Sequence, residues 1–118
     1  MKTCYREIAA YTTRDGSEIR ELMHPGVHGN RQQSLAEAIV QPGQQTLWHR
    51  HRRSEELYHV TRGAGVMMLA SETLSIAVGD TVLIPPGTAH CVIATGSEAL
   101  HLLCCCSPAY DHDDTELL

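Results

Sequence analysis

The 118-residue chain contains no phenylalanine and only five tryptophan or tyrosine residues. Without large aromatic side chains the hydrophobic core has to be aliphatic, and a chain of this length builds one core but not two. The valines, isoleucines, leucines and threonines stand in short runs that glycine and proline interrupt. This pattern predicts an all-β domain that spans residues 1–118.

The sequence also lacks a long apolar run and an excess of basic residues. No stretch approaches the length of a membrane span, and residues 1–5 show no apolar signal-peptide region. Nine basic against fourteen acidic residues give a net charge of −5, which argues against nucleic acid as a main partner despite the local run of Arg50, Arg52 and Arg53. Five cysteines without framework spacing indicate reduced thiols. We therefore expect a soluble cytoplasmic protein that binds neither nucleic acid nor a membrane.

Turn signals divide the chain into short strand candidates, roughly ten in number, and no segment keeps a helical period over ten or more residues. The strands from residue 18 to residue 106 are predicted to form a sandwich or a barrel. A short N-terminal strand precedes this core. The acidic tail after Pro108 is predicted to be exposed.

Two histidines and a glutamate near the middle of the chain form the first candidate site. His49 and His51 are two residues apart and therefore face the same side of a strand. A turn after His51 brings Glu56 onto the next strand, facing back toward the two imidazoles. Two histidines and a carboxylate on adjacent strands form a plausible divalent-metal site with room for a small ligand.

Two segments have residue spacings that resemble the two motifs of the cupin superfamily. The first motif reads Gly, five residues, His-x-His, three or four residues, Glu, six residues, Gly, and is matched by Gly43, His49, His51, Glu56 and Gly63. The second reads Gly, five residues, Pro-x-Gly, two residues, His, three residues, Asn, and is matched by Gly79, Pro85, Gly87 and His90, with Ala94 in place of Asn. Glu55 fits the shorter spacing of the first motif, but only Glu56 leaves six residues before Gly63.

The resemblance implies a double-stranded β-helix, or jelly-roll, barrel with a metal at its centre. By this resemblance the ligands are His49, His51, Glu56 and His90, and they hold one divalent transition metal ion, which can be Fe, Mn, Ni, Zn, Co or Cu. The resemblance also implies a homodimer. It favours a metal-dependent enzyme acting on a small oxygenated molecule, either a dioxygenase or a sugar isomerase or epimerase. The alternative is a metal-assisted binding or sensor domain without turnover.

Two further residues are candidate catalytic groups. Glu37 stands between apolar residues on one face of a predicted strand, where an acid is costly unless it is paired or functional. It is interpreted either as a cavity-lining general acid or base or as a solvated residue on an outer face. Tyr58 shares a strand face with Glu56 and is interpreted either as a hydrogen-bond donor in the pocket or as a core aromatic.

One arginine and three consecutive cysteines also call for an interpretation. Arg20 lies in a predicted strand, and near the mouth of a barrel it could hold a substrate carboxylate. Strand alternation sends Cys104 and Cys106 to one face and Cys105 to the other, so the three thiols cannot converge on one metal. They are expected to pack as small hydrophobic residues.

Overall fold

The computed structural model describes all 118 residues as two antiparallel β-sheets with very little helix. One-turn helices occur at Tyr5–Glu7, Pro25–His28 and His112–Asp114. No helix is long and apolar enough to cross a membrane. The strands are β1 (Tyr11–Thr12), β2 (Glu18–Met23), β3 (Ser34–Val40), β4 (His49–His51), β5 (Glu55–Arg62), β6 (Ala64–Leu69), β7 (Glu72–Ala77), β8 (Thr81–Ile84), β9 (His90–Ala94), β10 (Leu100–Ser107) and β11 (Thr115–Leu117).

The two sheets give the jelly-roll arrangement that the sequence predicts. One sheet has the strand order β1-β2-β3-β10-β5-β8, and the other has the order β11-β4-β9-β6-β7. Neighbours within each sheet that are far apart in sequence, such as β3 and β10 or β4 and β9, show that the chain crosses repeatedly between the sheets. Long-range antiparallel pairing of this kind is typical of double-sheet jelly rolls.

The core between the sheets is aliphatic, as the absence of phenylalanine requires. Tyr58 is the one tyrosine among the buried core residues, and it lies close to the histidine side of the interior. The aliphatic side chains exclude water from the space beside it. The other members of the core are Ala38, Val40, Val60, Met67, Ile76, Ile84, Val92, Ala94, Leu100, Leu102 and Cys104.

Strand β3 turns small side chains toward the interior and larger ones outward. Ser34, Ala36 and Ala38 line the interior cavity, whereas Leu35 and Glu37 lie on the opposite face of the strand. Three small side chains in succession cannot fill the space between the sheets. The cavity therefore lies beside the inner face of β3.

The C-terminal tail is folded onto the barrel, which corrects the prediction of an exposed tail. Strand β11 pairs with β4, and this places Thr115 opposite His51. The buried carboxylate of Asp114 accepts hydrogen bonds from the backbone N–H groups of Arg53 at 3.0 Å and Ser54 at 3.1 Å. The tail thus pairs with β4, the strand that carries two of the candidate ligands, His49 and His51.

Candidate metal centre

Three strands bring the predicted metal ligands to one place inside the barrel. Strands β4 and β9 pair so that His49 lies directly opposite His90. His51 shares the inner face of β4 with His49, and all three histidines are buried. Each offers one ring nitrogen to a common group in which these atoms all lie within 4.8 Å of one another. Three buried histidines in this arrangement can hold a metal ion.

The Pro85–Gly87 turn, which the sequence predicts to end a strand, sets the start of β9. The N–H of Gly87 donates to the carbonyl of His51 at 2.7 Å and ties the turn to β4. The chain then runs three residues to His90, which opens β9. This contact explains in physical terms why a proline-glycine turn at this spacing places the third histidine beside the first two.

Hydrogen bonds fix the protonation of two of the rings. The Nδ1 atom of His49 lies 2.8 Å from the carbonyl oxygen of Leu47, and that of His90 lies 2.9 Å from the carbonyl oxygen of Thr88. A carbonyl oxygen only accepts, so both Nδ1 atoms carry the proton. In a neutral imidazole the Nε2 atom then has a free lone pair, which is the form that binds a metal.

A side chain from the tail does the same for His51. Its Nδ1 lies 2.9 Å from the hydroxyl oxygen of Thr115, and that hydroxyl donates to the carbonyl of Asp111 at 2.9 Å. The threonine oxygen is therefore the acceptor toward His51, and Nδ1 of His51 donates. In their neutral form, all three rings therefore have the lone pair on Nε2.

The Glu56 carboxylate faces this group from β5, as predicted in preference to Glu55, which is exposed. Its Oε1 lies 3.1 Å from Nε2 of His51 and 3.6 Å from Nε2 of His90. Burial alone would raise the pKa of Glu56, but the neighbouring imidazoles of His51 and His90 outweigh it and lower the pKa to about 2. Its Oε2 accepts from the thiol of Cys106 at 3.1 Å.

The chemistry of this donor set fits a divalent transition metal. Nε2 of His90 is buried without any hydrogen-bond partner. Nε2 of His51 faces a carboxylate oxygen at 3.1 Å, so in the tautomer that Thr115 sets a proton or a cation has to lie between these two atoms. Burial, followed by the nearby charge of His90, lowers the pKa of His49 and favours its neutral, metal-binding form. A cation between these atoms would satisfy every one of them, and three imidazoles with one carboxylate leave positions for water or substrate.

Asp15 also belongs to this site, although the sequence indicated only a turn there. Its Oδ1 accepts from the backbone N–H of Ser17 at 2.9 Å and from the Ser17 hydroxyl at 2.6 Å. Its Oδ2 lies 3.6 Å from Nε2 of His49. The Asp-Gly-Ser sequence predicts a turn, but the direction in which the aspartate points depends on β4, which lies far away in the sequence.

The cavity beside the histidines has a volume of about 50 Å³ and is lined by polar groups of a particular kind. Carboxylates come from Asp15, Glu21 and Glu56, and no lysine or arginine lines the cavity. The lining therefore offers hydroxyl groups and acceptors but no fixed positive charge. The hydroxyl-bearing residues in contact with it are Tyr11, Thr13, Ser17, Ser34, Tyr58, Tyr110 and Thr115.

Tyr58 lines the cavity, but Glu37 does not. The Tyr58 ring lies 5.9 Å from that of His90. Burial, followed by the charge of Glu56, raises the pKa of Tyr58 well above its usual value, so the phenol keeps its proton. Tyr58 is both a member of the core and a group of the cavity, so both interpretations of it are compatible with its position.

Of the two interpretations of Glu37, the structure favours the outer face. The Tyr5 hydroxyl donates to its carboxylate at 2.5 Å, and Nδ1 of His101 lies 3.5 Å from it. Glu37 is therefore paired rather than solvated. Arg20, expected near the mouth, instead places its guanidinium 5.0 Å from the centre of the Tyr5 ring.

The cysteine alternation is confirmed. Cys104 and Cys106 are buried and line the cavity, while Cys105 lies on the other face of β10. Burial, followed by the charge of Glu56, raises the pKa of both buried thiols above the usual value, so they stay protonated. Their position beside the histidines was not predicted, because alternation fixes which residues share a face and not which face is inward.

Comparisons with known proteins place this geometry in context. A family model described as the cupin domain matches residues 36–106. An uncharacterised protein of Methanocaldococcus jannaschii, MJ1618, is 48% identical over all of this chain and 94% of its own length.

Solved structures with the same fold include two enzymes of Streptomyces. Pac13 of Streptomyces, described as a nucleoside dehydratase, superposes with a TM-score of 0.82 at 19% identity and covers 100% of this chain and 90% of its own. The polyketide cyclase RemF of Streptomyces resistomycificus gives 0.83 at 22% identity, with 100% and 85% covered.

Proposed function

The chain belongs to the cupin superfamily, and from this premise we propose that it is a metal-dependent enzyme that moves protons on a small oxygenated molecule. The reaction type that suits the cavity is an isomerisation or an elimination of water. The observation that carries the proposal is the buried group of three unprotonated histidine nitrogens facing the Glu56 carboxylate. That group adjoins a cavity with acids and phenols in it.

His49, His51, Glu56 and His90 are the residues proposed to hold one divalent ion of the Fe, Mn, Co, Ni, Cu or Zn group. When bound, such an ion polarises a carbonyl or hydroxyl oxygen of the substrate. The ring orientations set by Leu47, Thr88 and Thr115 prepare the three nitrogens before any ion arrives.

Asp15 and Tyr58 are proposed to move the proton. Ser17 holds one oxygen of the Asp15 carboxylate, which leaves Oδ2 free to accept a proton from a substrate carbon or hydroxyl. Tyr58 keeps its proton and donates a hydrogen bond to a substrate oxygen. The earlier interpretation of Glu37 as a cavity acid is not part of this proposal, since its carboxylate is engaged by Tyr5 outside the cavity.

The names of the two structural neighbours support this reaction type over an oxidation. One is described as a dehydratase and the other as a cyclase. Both share the fold at low sequence identity, so they support a class of chemistry within the same barrel and not a particular substrate.

The metal part of the proposal is tested by elemental analysis of protein purified without added metal. We expect about one equivalent of transition metal per chain, and its loss in His49→Ala and His90→Ala. The control is His59→Ala, which removes a histidine that bonds to Thr81 outside the cavity. Full metal content in His90→Ala would show that the ligands are assigned wrongly.

The reaction type is tested by solvent-deuterium exchange and oxygen uptake on the same metal-loaded protein. We expect deuterium to enter a small hydroxyketone or hydroxyaldehyde without oxygen consumption, and Asp15→Asn to slow this exchange by about 10²–10⁴-fold. Oxygen uptake with diketones, catechols or thiols would favour a dioxygenase. Binding without any exchange would favour the sensor alternative.

A further inference from the structure

Glu21 occupies a distinct place in the cavity, on the inner face of β2. Strand register puts it in one row with Ala36 on β3, Cys104 on β10 and Tyr58 on β5. It lines the interior cavity and also a larger pocket outside it, and the two spaces share Glu21 with Tyr11 and Tyr110. Glu21 therefore stands where the interior opens to the exterior, away from the histidine group.

One oxygen of this carboxylate has no partner in the protein. Oε1 of Glu21 is buried and makes no hydrogen bond. Burial raises the pKa of Glu21, and the neighbouring His24 and Tyr11 lower it by less. A buried acceptor without a donor is unfavourable, because it has lost its hydrogen bonds to water. The fold gains nothing from this oxygen in the free protein, which indicates a donor that comes from outside.

There is space beside Glu21 for such a donor. Ala36 lies between Glu21 and Cys104 in the row, and its methyl group leaves the cavity open. His49 and His51 line the same cavity, so a small molecule that occupies it can contact the histidine group at one end and Glu21 at the other.

The charges of the lining select the type of molecule. Asp15, Glu21 and Glu56 contribute carboxylates, and no lysine or arginine balances them. Arg31 and Arg53 line the outer pocket, so a second carboxylate or a phosphate inside the cavity would meet only like charge from its lining. The hydroxyls of Tyr11, Tyr110 and other lining residues pair readily with hydroxyl groups, which both donate and accept.

We propose that Glu21 is a substrate-recognition residue whose Oε1 accepts a hydrogen bond from a hydroxyl of an uncharged, hydroxyl-rich small molecule, such as a short hydroxyketone or polyol. The other end of this molecule lies at the histidine group. The inference rests on the proposed function because it uses the same cavity, and it names the substrate class and the group that selects it.

The test compares three charge classes of similar size on the zinc-loaded protein by isothermal titration and ligand-observed NMR. The uncharged probes are dihydroxyacetone and erythrulose, the anionic probes are lactate and glycerate, and the cationic probe is serinol. We expect the hydroxyketones to bind at least tenfold more tightly than the carboxylates. Glu21→Met, which removes both carboxylate oxygens at similar side-chain length, is expected to weaken hydroxyketone binding at least tenfold.

Two further variants separate recognition from folding. Glu37→Met makes the same change on the neighbouring strand but on the outer face, and it is expected to leave the dissociation constants unchanged. Ala36→Leu fills the space beside Glu21 without altering a polar group and is expected to weaken binding as Glu21→Met does. All variants should keep one zinc ion per chain, which shows that the fold and the metal centre persist in each of them.

The outcomes distinguish this inference from the function on which it rests. If the wild-type protein binds no zinc, the proposed metal centre fails. If zinc binds but lactate, glycerate or serinol binds more tightly than the hydroxyketones, the substrate class is wrong. Unchanged hydroxyketone binding in Glu21→Met, or no hydroxyketone binding at 100 mM in the zinc-loaded wild type, would overturn the role of Glu21.

Discussion

At the scale of single residues, the sequence predicts the ligands well and their surroundings poorly. His49, His51, Glu56 and His90 meet in one buried group, because motif spacing and strand alternation together determine which side chains share a face. The acids Asp15 and Glu21 were not predicted. Each owes its place to contacts with strands far away in the sequence, and no local pattern encodes such contacts.

The Thr115 hydroxyl is predicted to tune metal affinity through His51. Thr115→Val removes the acceptor of the His51 Nδ1–H without changing side-chain shape much. We expect metal affinity to fall by about 10–100-fold, the usual effect of losing such a partner. Competition with a chromophoric chelator measures it.

A matched control for this variant is Thr61→Val, which alters a threonine hydroxyl on the outside of the barrel. It should leave the affinity unchanged. If Thr115→Val binds metal as tightly as the wild type, the hydroxyl does not orient the ring, and the His51 tautomer has to be set in another way.

At the scale of elements, strand β3 shows what alternation leaves open. Because side chains alternate along a strand, Leu35 and Glu37 are predicted on one face and Ala36 and Ala38 on the other, and they lie so in the structure. Both sets contain apolar residues, so hydrophobicity does not indicate which set faces the interior. The side chains on neighbouring β2 and β10 decide it, and this is why the position of Glu37 stayed open in the sequence.

The strand β11 was missed for a different reason. It has three residues, too few for a visible alternation, and it follows an acidic, turn-like segment. Its position depends on Asp114, whose carboxylate bonds to backbone N–H groups of the β4–β5 connection. Charged residues in a tail favour exposure on average, but a carboxylate that accepts several N–H bonds can be buried.

Asp114 is predicted to anchor this strand in a pH-dependent way. Burial alone would raise the pKa of Asp114, but the bonds from Ser54 and Arg53 outweigh it and hold the pKa below its usual value. The stabilisation is therefore complete above the unfolded pKa of about 3.9 and is lost as the pH falls through the lowered folded value. At pH 7, Asp114→Asn should reduce the free energy of unfolding by about 1–3 kcal/mol.

Urea unfolding between pH 2.5 and pH 7 measures this effect, with Asp113→Asn as the control because Asp113 is an exposed neighbour. The difference between wild type and Asp114→Asn should shrink toward acid pH. A difference that is the same at every pH would mean that the carboxylate charge contributes nothing and that only packing is lost.

At the scale of the whole molecule, the jelly roll follows from many agreeing local signals, namely short strands, turn residues and two motifs. The cavity does not follow from them, because its shape and charge arise from side chains that seven strands and two connecting segments contribute. The homodimer that the family resemblance implies is likewise a property of a surface. It remains a prediction.

The outer face of the larger sheet is where we expect the second copy to bind. Leu35, Cys105, Leu57 and Leu83 lie directly opposite one another across four strands, and Leu57 and Leu83 are 42% and 52% exposed. Sedimentation velocity should show a dimer, and Leu57→Asp should shift it toward monomer with metal content unchanged. Leu47→Asp, at an exposed leucine outside this row, is the control. A wild-type protein that sediments as a single chain would contradict the dimer.

The central claim, that His49, His51, Glu56 and His90 hold the metal, is tested most directly by X-ray absorption spectroscopy of the zinc-loaded protein. The ligand set predicts nitrogen and oxygen neighbours at about 2.0–2.2 Å with the multiple scattering of three imidazole rings, reduced by one ring in His90→Ala. Sulfur scattering at about 2.3 Å would place the ion on Cys104 or Cys106 instead. That result, or a spectrum that His90→Ala leaves unchanged, would contradict the account.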